Sequence, residues 1–74
     1  MTNKDIYIHN SALVDSGASI GTGTKIWHWT HICSNASIGR NCSFGQNVYV
    51  ANKVIIGNNV KVLENNDFFR LITY

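Results

Sequence analysis

Cut every six residues from Ile8, the chain falls into IHNSAL, VDSGAS, IGTGTK, IWHWTH, ICSNAS, IGRNCS, FGQNVY, VANKVI, IGNNVK and VLENND. Every block opens with Ile, Val or Phe. The fifth place reads Ala12, Ala18, Thr24, Thr30, Ala36, Cys42, Val48, Val54 and Val60, all small or β-branched, until Asn66 breaks the rule. An α-helix turns once per 3.6 residues, so a strict period of six would wander around its surface. A second period lies inside the first: Ile20-Gly21, Ile38-Gly39 and Ile56-Gly57 recur every 18 residues. Three hexads therefore complete one coil, and the same face returns each time.

The implied object is a triangular coil with three short strands per turn. The first and fifth places point inward, and Gly or Asn takes the strained corner backbone. Successive coils stack as parallel strands roughly 4.8 Å apart. One coil cannot bury its own apolar face, so the core comes from stacking neighbours. The expected fold is all-β, a parallel β-helix of hexapeptide repeats with about three coils and an irregular C-terminal tail. The expected segmentation is a lead-in over 1–7, the β-helix over 8–62 and the tail over 63–74, where Phe69, Leu71, Ile72 and Tyr74 follow no hexad rule.

At 74 residues the chain makes one small domain, and a domain of that size is marginal without a disulfide, a metal or a partner subunit. The net charge is only +2 and the six Lys and Arg form no run, which argues against nucleic acid or an anionic membrane as the main partner. The opening "MTNKDIYIHN" is polar and no long apolar run follows, so neither a signal peptide nor a membrane span is expected. The expected compartment is the cytoplasm, with both thiols reduced.

The window from Ile26 to Val50 gathers both tryptophans, two of the three histidines and both cysteines. Stacking at 18 residues sorts them. Asn10, His28, Gln46 and Glu64 form one column; Ser11, Trp29, Asn47 and Asn65 the next; Leu13, His31, Tyr49 and Asp67 a third. Cys42 falls on an inward fifth place and reads as a small core residue. Cys33 falls on a corner of another face and reads as a bystander, so no disulfide joins the two. His28 and His31 lie three apart, but His9 stacks over Trp27, and the three protein ligands that zinc needs are not visible; no metal is expected. An imidazole near neutrality suits deprotonation of an attacking amine, which makes His28 the candidate catalytic residue, with Asn10 and Gln46 as possible orienters. The competing reading makes His28 and His31 surface residues of a polar wall. Trp27 and Trp29 suit packing between subunits or on a nucleotide base. Two tryptophans on the exposed side of a thin prism favour an oligomer.

Ile8-His9 with Ser11-Ala12, then Ile26-Trp27-His28, then Ile38-Gly39-Arg40-Asn41-Cys42, then Gly45-Gln46-Asn47-Val48 resemble the bacterial nucleotide-sugar 3-amino N-acetyltransferases. The resemblance covers residues 6–62. It implies a left-handed β-helix that forms a homotrimer, an exception to the usual right-handed crossover. It implies acetyl-CoA as co-substrate and a nucleotide-linked 3-amino sugar (UDP or dTDP) as acceptor, bound in clefts between subunits and used for surface polysaccharide synthesis. Trp27, His28, Gln46 and Asn47 match the cleft wall, and Trp29 and His31 join them as substrate-binding candidates. Catalysis would be mainly positioning of amine and thioester.

Family members run on for several more coils, which carry much of the acetyl-CoA groove. Here "LENNDFFRLITY" follows Val62. It reads either as the frameshifted or prematurely ended part of a longer enzyme or as an aromatic cap under the last coil. The alternative function is a non-catalytic module that only self-associates. An ice-binding face needs Thr-x-Thr on successive coils, and only Thr22 and Thr24 supply it.

Overall fold

The computed structural model describes residues 5–64 and 67–68; of Glu64, Asp67 and Phe68 only the backbone is described. Among the described residues eleven short strands follow one another: β1 (Tyr7–Ile8), β2 (Leu13–Val14), β3 (Ser19–Ile20), β4 (Lys25–Ile26), β5 (His31–Ile32), β6 (Ser37–Ile38), β7 (Ser43–Gln46), β8 (Tyr49–Val50), β9 (Ile55–Ile56), β10 (Lys61–Glu64) and β11 (Asp67–Phe68). Each of the first ten begins on the last residue of one hexad and runs onto the first of the next. That pairing follows from the pleat: the first place faces the core, so its predecessor must face out. No helix occurs among the described residues, and so none long and apolar enough to cross a membrane.

The strands form three parallel sheets in the orders β1-β4-β7-β10, β2-β5-β8-β11 and β3-β6-β9. Partners are 18 residues apart throughout: Ile8 pairs with Ile26, Ile26 with Phe44, Ile32 with Val50 and Ile38 with Ile56. The molecule is the β-helix of hexapeptide repeats that the spacing predicts. Its three sheets are the sides of a prism. Asp67–Phe68 keeps the same register against Tyr49–Val50. The rest of the predicted tail, 65–66 and 69–74, and residues 1–4 of the lead-in lie outside the described residues.

The core consists of the two inward places. Ile26, Ile32, Ile38, Phe44, Val50 and Ile56 from the first place are buried, as are Thr24, Thr30, Ala36, Cys42, Val48 and Val54 from the fifth. The two buried threonines are satisfied, because their hydroxyls donate to the corner carbonyls of Gly39 (2.8 Å) and Gly45 (3.3 Å) fifteen residues on. One coil below Thr24, the Cys42 thiol repeats that bond to the Gly57 carbonyl at 3.1 Å. Cys42 is thus a core residue standing in for a threonine, and both cysteines are free. At the first coil the inward column opens to solvent: Ile8 is exposed, and Ile6, Ile8, Val14, Ala18 and Ile20 line an apolar depression.

The corners explain the remaining sequence pattern. From Gly17 to Asn59 the fourth residue of every hexad has a positive φ: Gly17, Gly23, Trp29, Asn35, Asn41, Asn47, Lys53 and Asn59. Gly and Asn take this left-handed region at little cost, whereas Trp29 and Lys53 occupy it against the crowding of their Cβ on the carbonyl. The glycines at the second place have a separate cause. A Cβ on Gly39 would lie 2.5 Å from the Gly57 carbonyl oxygen, and one on Gly45 would overlap the Leu63 carbonyl.

Candidate functional site

The corner between the first and second sheets carries an aromatic and imidazole stack. Tyr7 points outward from β1, and its ring lies 4.8 Å from that of Trp27, just past β4. Register alone sets His9 over Trp27, but Tyr7 already covers that indole, and the His9 ring lies instead 3.9 Å from the ring of His28. The expectation that His9 meets no other histidine is corrected here. His28 in turn is flanked by Trp27 at 6.4 Å and Trp29 at 5.7 Å. Five rings from two coils thus make one continuous surface.

Hydrogen bonds lock its upper edge. The backbone N–H of Ser11 donates to His9 Nδ1 at 3.1 Å, which makes Nδ1 an acceptor and assigns the ring proton of the neutral imidazole to Nε2. The Ser11 hydroxyl lies 2.9 Å from the same nitrogen and accepts the Trp29 N–H at 3.0 Å. The chain His9–Ser11–Trp29 therefore ties the imidazole of one coil to the corner backbone of the next. That corner is the one where Trp29 holds φ at 54°.

The sequence candidates separate into three groups. Trp27, His28 and Trp29 are brought together, with Trp29 62% exposed and so available for stacking on a ligand. His28 is oriented by its ring neighbours; no hydrogen bond joins its side chain to Asn10 or Gln46 among the described residues, contrary to the orienters expected. Gln46 and Asn47 lie on the next coil of the same corner, both exposed. Asn47 fills the left-handed corner place, and its N–H donates to the His28 carbonyl at 3.1 Å. His31 stands apart on β5, where its ring meets the edge of Tyr49 at 5.6 Å.

His31 belongs to a second group that sequence reasoning missed. Its Nε2 lies 3.1 Å from Asp15 Oδ2 and 3.9 Å from Cys33 Sγ, and the three donor atoms all fall within 4.8 Å of one another. All three residues are half-buried. As an ion pair, His31 and Asp15 are exposed enough that their contribution to stability stays below about 1 kcal/mol. Asp15 and Cys33 are 18 apart, so the column arithmetic already stacks them. What it omits is His31, outward on the strand that leads into Cys33.

Residues 17–52 match the family model described as bacterial transferase hexapeptide (six repeats). This stretch therefore carries hexapeptide repeats of the bacterial-transferase type. It contains Trp27, His28, Trp29, His31, Gln46 and Asn47, while Tyr7, His9 and Asp15 precede it. No curated protein matches the chain.

Proposed function

We propose that this β-helix serves acyl transfer, as an N-acetyltransferase or as part of one. The donor is acetyl-CoA and the acceptor the 3-amino group of a nucleotide-linked sugar of the kind used in surface polysaccharides. The observation that supports this reading is the five-ring surface of Tyr7, His9, Trp27, His28 and Trp29, most of it within the transferase-type repeat. Flat, exposed indoles suit a nucleotide base, and an imidazole seated between them suits a proton leaving the amine.

In the reaction the amine lone pair attacks the thioester carbonyl carbon. The C–S bond then breaks, and the electron pair leaves on sulfur. One proton moves from nitrogen to His28 and on to the departing thiolate, which yields the amide and CoA thiol. Trp27 and Trp29 hold the nucleotide, and Gln46 and Asn47 extend the cleft wall on the next coil. A homotrimer would complete the cleft with a neighbouring subunit, and the cytoplasm supplies acetyl-CoA.

Titration of the intrinsic tryptophan fluorescence with UDP- and dTDP-linked amino sugars and with acetyl-CoA tests the binding step. Saturable quenching by one nucleotide sugar, lost in Trp29→Ala, is expected. A flat titration with every nucleotide sugar, in a folded oligomer, contradicts the reading. The second reading, a module that only self-associates, is favoured by the exposure of Leu13, Trp29 and Leu63. It calls for a stable oligomer that binds neither ligand.

A further inference from the structure

We propose that Asp15, His31 and Cys33 form a binding site for a zinc-class divalent cation, separate from the ring surface at the first corner. The three donors differ in kind: one carboxylate oxygen, one imidazole nitrogen and one sulfur. Their arrangement rules out the obvious alternative, a nucleophilic cysteine activated by a histidine and an aspartate. Such a relay needs the acid on one ring nitrogen and the thiol on the other. Here Asp15 and Cys33 both face Nε2 of His31, at 3.1 and 3.9 Å. Three groups that converge on a single point share a ligand between them and pass no proton through the ring.

The dimensions fit. Bond lengths near 2.0–2.3 Å around a tetrahedral zinc place neighbouring donor atoms about 3.3–3.6 Å apart. The two separations from His31 Nε2, 3.1 and 3.9 Å, lie within a few tenths of an ångström of that range, and the Asp15 and Cys33 donors lie within 4.8 Å of each other, so side-chain rotations must draw those two together to close the site. Its carriers are rigid. The Asp15 N–H donates to the Ile32 carbonyl and the Cys33 N–H to the Val50 carbonyl, each at 2.9 Å, so both corner residues are pinned to the sheet ladder. The Tyr49 ring braces the imidazole edge-on.

The donor set also selects the ion. Mg²⁺ and Ca²⁺ take oxygen ligands, whereas mixed sulfur, nitrogen and oxygen ligation suits Zn²⁺ or Co²⁺. A carboxylate and a thiolate together neutralise the dication. Three protein ligands leave a fourth position for water or an exogenous donor, the pattern of an open site.

Metal-stripped wild-type protein titrated with Co²⁺ tests the proposal directly. One Co²⁺ per chain is expected, with a near-ultraviolet thiolate charge-transfer band and the visible bands of tetrahedral cobalt, all displaced by Zn²⁺. Cys33→Ser should abolish the charge-transfer band, and Cys42→Ser should retain it. Asp15→Asn should weaken binding on the order of tenfold or more, the scale seen when even an outer-shell partner is lost. On the folded wild-type chain, Zn²⁺ should slow alkylation of Cys33, a readout that needs no variant to fold. Absence of the band in wild type, a band that survives Cys33→Ser, or alkylation unchanged by Zn²⁺ each overturns the proposal.

Discussion

Trp29 occupies a place that the neighbouring hexads give to Gly or Asn, with Lys53 the other exception. A bulky residue in the left-handed region costs on the order of 1 kcal/mol. Nothing in the core repays it, since the indole is mostly exposed. Trp29→Asn should therefore stabilise the fold by about 1 kcal/mol in urea unfolding, because Asn is at home in that backbone. The same substitution should remove nucleotide-sugar quenching, as expected where strain is held at a functional site. Cys42 makes the opposite case. Its thiol repeats the bond that Thr24 makes one coil earlier, so Cys42→Thr should change stability by less than about 1 kcal/mol. Cys42→Leu overfills the same space and should cost roughly 1–3 kcal/mol. Loss of stability on Cys42→Thr as large as on Cys42→Leu would argue against the threonine-like role.

At the scale of elements, the hexad predicts the strands because each inward place repeats with the pleat and each corner with the turn. Ile26, Phe44 and Val62 were legible as one stacked column, and the 18-residue register follows from the Ile-Gly pairs alone. Side-chain lean across the corner was not legible. Column arithmetic places His9 on Trp27, whereas the presence of Tyr7 sends the His9 ring to His28. It also leaves His31 out of the Asp15–Cys33 column, because Asp15 and His31 meet at a separation of 16 rather than 18. The corner backbone was legible where it carries Gly and Asn and hidden where it carries Trp29. Gly45 sets a limit at this scale: Gly45→Ala forces a methyl onto the Leu63 carbonyl, so β7 and β10 must separate. Thermal unfolding should show a marked drop in Tm, whereas Ser19→Ala, on an exposed strand position, should leave Tm nearly unchanged.

For the whole molecule, stability is shared between coils, and the inner strands of each sheet have neighbours on both sides. Phe44, the largest fully buried side chain among the described residues, is on such an inner strand, with Ile26 on one side and Val62 on the other. Phe44→Ala should cost about 3–5 kcal/mol, enough to unfold a domain of this size. Because the exposed Leu13, Trp29 and Leu63 face outward, the assembly should be an oligomer whose Tm rises with protein concentration. The corner built by Trp27, His28 and Trp29 is the one proposed to carry acyl transfer. The most direct measurement is thiol release from acetyl-CoA, with mass detection of the acetylated product, for wild type and His28→Gln on a nucleotide-linked 3-amino sugar. Turnover by wild type is expected and, for His28→Gln, a loss of kcat on the order of 10²-fold with KM little changed. A folded wild-type oligomer that releases no thiol with either nucleotide would contradict it.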